Sequence, residues 1–229
     1  MTSSTEIALY LWIINLIEMT FVGYIFVREY KKANTKFYLG VMLFYFIFVV
    51  ARLCEIIRIY FNTEGYDLVP PYTGLNFILK TCYTLFSYIG ITILYFVLER
   101  YVFTRTKKIF TALVPIACAL SIWYTFYSPT DPIYQLLFNI VIPIYAVILL
   151  GIVGMYIYLA LKSSGEVRRN SIMIVLGILL FELGLIFALS EVQTSIFAAI
   201  PLDVLIISAP ILSIIGVILQ IRGFKTSIS

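Results

Sequence analysis

Runs of about twenty mostly apolar residues recur along this chain, parted by short polar links, and this recurrence restricts the fold more than any motif does. Of the 229 residues, 62% are hydrophobic and only 12% are charged. A water-soluble domain with that ratio has too little polar surface to cover its exterior, so lipid must cover the rest. The runs divide into seven expected spans at 6–28, 37–61, 73–99, 108–128, 132–161, 171–190 and 196–221. A membrane strand would need only about 9 to 11 residues with alternating polarity, and no such alternation is present. The expected fold is therefore all-α, a single polytopic domain over residues 1–229 built as a bundle of seven transmembrane helices.

The links carry the orientation. Arg28, Lys31, Lys32 and Lys36 follow the first span, and Arg100, Arg105, Lys107 and Lys108 follow the third. Lys162, Arg168 and Arg169 follow the fifth, and Arg222 and Lys225 follow the last. With alternating spans, thirteen of the sixteen basic residues fall on one face of the membrane. The opposite links hold Glu64, Asp67, Asp131 and Glu191, with Glu6 near the start. The excess of Lys and Arg marks the cytoplasmic side, which puts the N-terminus outside and the C-terminus inside. The net charge of +4 follows from these links, so no nucleic-acid partner is expected, while contact with anionic lipid heads is. Residues 1–6 contain no Lys or Arg, and no small-residue cleavage site follows the first run, so the first helix is expected to stay in the mature chain.

Absences narrow the chemistry. There is no histidine, which removes the commonest general base, metal ligand and haem ligand. Cys54, Cys82 and Cys118 lie in apolar runs without a C-x-x-C pair and read as inert buried thiols. No phosphate loop or nucleophile motif is present, so neither an enzyme nor a bound cofactor or metal is expected. Pro70-Pro71, Ser128-Pro129 and Asp131-Pro132 fit outer turns, and Pro115, Pro143 and Pro210 fall within spans, where they bend helices. The hexapeptides from Leu39 to Phe44 and from Leu176 to Phe181 open the second and sixth spans alike, a faint sign of a repeat.

Ionisable residues inside these runs are the candidate site. Each costs about 2.5 to 3.5 kcal/mol to insert and so tends to face a protein interior. Glu18 and Glu182 fall near mid-span, Arg52 and Lys80 in the outer third, Glu55 closer to the outer surface and Arg58 at the interface. Asn76, Lys80, Thr84 and Ser87 are spaced along one helical face of the third span. Gln135 and Asn139 are one turn apart, as are Asn15 and Glu18. Arg52 and Glu55 are set to pair along their helix. One reading is structural glue, with polar groups bonding across helices. The other is an outward-facing polar cavity with Arg52 and Lys80 as cationic anchors and Glu18 and Glu182 as acidic partners. Glu99-Arg100 resembles the helix-end pair of seven-helix receptors and reads as an interfacial pair.

The layout resembles that of microbial rhodopsins and G-protein-coupled receptors, but the last span has no lysine for a retinal Schiff base. Ala51-Arg52, Leu98-Glu99-Arg100-Tyr101 and Thr104-Arg105-Thr106-Lys107 resemble segments of uncharacterised archaeal seven-helix membrane proteins. That resemblance implies no activity and points to Arg52 and Glu99 as family features. The expected function is a receptor- or sensor-like membrane protein with a small ligand, an anion being the natural candidate. Any signal would pass to a separate cytoplasmic or membrane partner, since little chain follows the last span. The rivals are an ion or proton channel, a secondary transporter, or a non-catalytic assembly subunit.

Overall fold

The computed structural model describes residues 3–61, 72–188 and 200–225. Among them the chain is all-α, with seven helices: α1 (Ser3–Ala33), α2 (Lys36–Phe61), α3 (Gly74–Tyr101), α4 (Ile109–Tyr124), α5 (Pro132–Lys162), α6 (Gly165–Phe187) and α7 (Leu202–Lys225). All but α4 are long and apolar enough to cross a membrane, which makes this a multi-pass helical membrane protein. The expected outer-link residues Glu64, Asp67, Pro70, Pro71 and Glu191 lie outside the described residues.

Three boundaries differ from expectation. Helix α1 runs to Ala33, so Arg28, Lys31 and Lys32 sit on its last turns, where cations complement the helix dipole. The link that remains is Asn34-Thr35, with Asn34 left-handed at φ 48°. Helix α6 begins at Gly165, taking Arg168 and Arg169 into its first turns. Helix α4 has 16 residues, about 24 Å at the α-helical rise, where a span of 108–128 was expected. Beyond it the chain tightens into i+3 bonds, with Phe126 N donating to Trp123 O and Tyr127 N to Tyr124 O. The helices run through Pro115, Pro143 and Pro210.

The chain forms two compact units, residues 1–18 with 151–229, and residues 19–150. In the 19–150 unit, α2 and α3 pack antiparallel. Gly40 lies against Val97, Gly90 against Phe44 and Phe48, and Asn76 against Arg58. Helix α4 returns along α3 in the opposite direction. Phe110 stacks on Tyr95 at 5.2 Å near its start, Ser121 bonds Tyr88 at 2.8 Å, and Phe126 meets Phe77 at 5.0 Å just past its end. Thus α4 and its tight turn run alongside α3 from residue 95 to residue 77. Tyr95, fully buried, also donates its hydroxyl to Ile148 O on α5.

In the other unit α6 and α7 pack backbone to backbone. A methyl group built on Gly177 would lie 2.7 Å from Gly216 O, and one on Gly184 would lie 2.5 Å from Ala209 O. One on Gly216 would lie 2.6 Å from both Gly177 O and Phe181 N. Only glycine allows this approach, the small-residue packing typical of membrane helices. Ser4 Oγ donates to Asp203 Oδ1 at 2.5 Å, joining the start of α1 to the start of α7.

Candidate functional site

The end of the α2–α3 pair where α2 finishes and α3 begins gathers charge. Arg58 grips Glu55 with two parallel bonds, Nη2 to Oε1 at 2.7 Å and Nε to Oε2 at 2.9 Å, the fork geometry that favours arginine over lysine. Its remaining nitrogen Nη1 donates to Asn76 Oδ1 across the helix pair at 3.2 Å. The pairing of Arg52 with Glu55 expected from spacing is therefore corrected. Both arginines lie three residues from Glu55, but Arg58 holds the carboxylate and Arg52 lies over a ring of α3. Arg58 is 6% exposed and Arg52 is 3% exposed.

Two tyrosines interleave with the cations. The Arg58 guanidinium carbon lies 5.9 Å from the centre of the Tyr72 ring. Lys80 Nζ lies 5.9 Å from that same ring and 5.3 Å from Tyr83. The Arg52 guanidinium carbon lies 5.7 Å from Tyr83. The order is Arg58, Tyr72, Lys80, Tyr83, Arg52, each ring shared by two cations. The electron-rich faces of the rings attract the cations and hold the like charges apart. Arg52, Arg58 and Lys80 all exert their fields on Glu55. They are also the three basic residues that remain when the thirteen at and between the helix ends are set aside, so every cation well inside an apolar run enters this one cluster.

The α3 stripe continues inward from the cluster. Asn76 and Lys80 are half-buried, and Thr84 and Ser87 are buried on the same face. Ser87 Oγ has no hydrogen-bond partner among the described residues. Beyond it the buried residues of α3 are Gly90, Leu94, Tyr95, Val97, Leu98 and Glu99, with the Tyr95 hydroxyl bonded to Ile148 O.

The other expected site residues fall elsewhere. Asn139, with Gln135, is exposed on α5, so the spacing that put them on one face did not make that face an inner one. Glu18 and Glu182 belong to the other unit. Glu182 is half-buried on α6, and Glu18 accepts a hydrogen bond from Asn15 Nδ2 at 3.2 Å.

Glu99, at the end of α3, is 3% exposed and turned toward the start of α4. Its carboxylate accepts from Phe110 N at 3.3 Å, Thr111 N at 2.8 Å and Thr111 Oγ1 at 2.5 Å. It thus acts as the N-terminal cap that Lys108 cannot provide, since α4 starts after two left-handed residues, Lys107 (φ 51°) and Lys108 (φ 65°). A carboxylate there also meets the positive end of the helix dipole. Its partner in sequence, Arg100, is exposed and lies over Phe96 and Tyr101.

Comparison with known proteins finds no matching family model, no matching curated protein and no matching solved structure. The function must be argued from the geometry above.

Proposed function

We propose that this is a receptor- or sensor-like protein of the cell membrane, crossing it seven times with the N-terminus outside, and that the α2–α3 cluster receives a small anion from the outer side. Two contacts support the seventh crossing. Helix α4 begins beside the end of α3 and finishes beside its start, so it runs back as far as α3 runs forward. The starts of α1 and α7 share a level through Ser4 and Asp203, which requires an even number of crossings between them. If α4 turned back, the number would be odd, and the basic links would no longer share a face. The outside position of the N-terminus rests on that charge asymmetry.

The observation that carries the ligand reading is the convergence of Arg52, Arg58 and Lys80 at one end of one helix pair. The Arg58 fork is taken by Glu55, and beside it the Arg52 guanidinium and the Lys80 ammonium supply a planar fork and a point charge, the donor types that carboxylates and other oxyanions take up.

The test is thermal unfolding of the detergent-purified chain against a panel of phosphate, sulfate and small carboxylates, with ion flux measured in vesicles. A ligand at a hundred times its dissociation constant stabilises by about 2.7 kcal/mol. Stabilisation by one anion, lost in Lys80→Met and without flux, supports the receptor. Flux that Lys80→Met abolishes replaces it with a transporter. Indifference to every anion, with normal folding of Lys80→Met, leaves the cluster as helix-joining structure.

A further inference from the structure

We propose that Glu18 and Asn15 together form a proton-binding site at the centre of α1, in which Glu18 is a neutral carboxylic acid closed against the Asn15 amide. Glu18 is the midpoint of α1, fifteen residues from each end. Asn15 is fully buried. One bond joins them, from Asn15 Nδ2 to Glu18 Oε2 at 3.2 Å. Among the described residues, the two other oxygens of the pair, Glu18 Oε1 and Asn15 Oδ1, are buried without a hydrogen-bond partner.

Both orphans are acceptors, so neither can satisfy the other. Leaving two buried acceptors without donors is costly, and buried polar atoms in folded proteins are paired in the great majority of cases. A single proton resolves both. Carried on Oε1, it makes Glu18 a donor toward Asn15 Oδ1, while Nδ2 still donates to Oε2. Acid and amide then form a closed ring of two opposed hydrogen bonds. The terminal torsions of both side chains are soft enough to bring the planes together. Turning the Asn15 amide over does not remove the need: it would place two oxygens 3.2 Å apart, a contact that only a proton between them makes attractive.

Neutralisation also suits the position. An ionised carboxylate in a span must be paired with a cation or be protonated. The influences on this carboxyl are its burial and the Asn15 amide. The salt bridges among the described residues do not include Glu18, and Arg52, Arg58 and Lys80 belong to the α2–α3 cluster. This site lies in a different unit from that cluster and does not depend on the anion reading.

Infrared spectroscopy of the full chain in lipid vesicles at neutral pH tests the proposal. Subtracting the Glu18→Gln spectrum from that of the unaltered chain should reveal one carboxylic-acid carbonyl band, shifted down in heavy water. In Asn15→Leu that band should move to higher frequency, because its carbonyl loses the amide donor. Loss of a carboxylate band instead would overturn the proposal and assign the two oxygens to a metal cation or water. Peptide mapping of the unaltered chain after reaction with a hydrophobic carbodiimide, which adds to protonated carboxyls, gives a reading that needs no variant. An adduct on Glu18 at neutral pH supports the site, and an adduct that forms there only once the pH is lowered to where ordinary carboxyls take up a proton overturns it.

Discussion

The α2–α3 and α6–α7 pairs are both antiparallel hairpins that follow a basic link, yet opposite means join them. Between α6 and α7 there is almost nothing: Gly177 and Gly184 face Gly216, Ser213 and Ala209 so closely that no side chain fits between the backbones. Between α2 and α3 stand large rings and charges, with Gly90 at ordinary contact distance, 3.5 Å, from Phe44 and Phe48. Backbone contact gains dispersion and leaves no room for a ligand. Side chains standing between helices leave room and demand that every polar group find a partner. The contrast teaches where binding chemistry can reside: in the pair whose interface is made of adjustable parts.

The largest effect should come from closing the glycine contact. Gly216→Leu places a side chain against Gly177 O and Phe181 N, neither of which can move aside. We expect a loss of about 3 kcal/mol or more, read as a collapse of the melting temperature in detergent. A normal melting curve would mean that α6 and α7 are not in backbone contact. Next is Arg58→Met, which strands Glu55 inside the cluster. A buried pair broken on one side costs about 3 kcal/mol, and the added change Glu55→Gln should recover part of it. If the double variant is no better than the single, the two side chains are not coupled.

Glu99→Ala, in the neighbouring α3–α4 pair, should cost about 1 to 2 kcal/mol through the lost cap. Hydrogen exchange should quicken at the Phe110 and Thr111 amides, and unchanged protection there would contradict the cap. Lys80→Met should change stability by about 1 kcal/mol, the scale of a cation over aromatic rings, while abolishing stabilisation by anions. The smallest effect belongs to Gly90→Ala. The new methyl meets only ordinary contacts and reduces the freedom of the unfolded chain, so the variant should be neutral or more stable by up to about 1 kcal/mol. A loss as large as that of Gly216→Leu would erase the distinction between the two hairpins.

The helices were legible because bilayer thickness dictates run length, and the apolar runs match α1 to α3 and α5 to α7 to within several residues. Their ends were less so, because Lys31, Lys32, Arg168 and Arg169 are good helix formers and continue a helix out of the membrane as readily as they end it. The α2–α3 site was half legible. Spacing placed Asn76, Lys80, Thr84 and Ser87 on one face, but Arg52 and Arg58 are equidistant from Glu55. The choice between them depends on Asn76, Tyr72 and Tyr83, which another helix brings. Arg58 carried its signal in that same three-residue spacing, and its place near the end of an apolar run masked it. Asn139 shows the limit from the other side, since periodicity tells which residues share a face and not what the face meets. Glu99 drew notice through its neighbours, but its role as a cap carried no signal, as the amides it holds begin eleven residues later in the chain.

The clasp between Glu99 and α4 has a consequence for how the chain enters the membrane. Helix α4 is short, holds a proline and lacks a cap of its own, while α3 ends in an acid that would be stranded alone. Each supplies what the other lacks. A translocation channel would therefore do best to release the two into lipid together, with α3 waiting at the gate until the following twenty-three residues, through Tyr124, have been made.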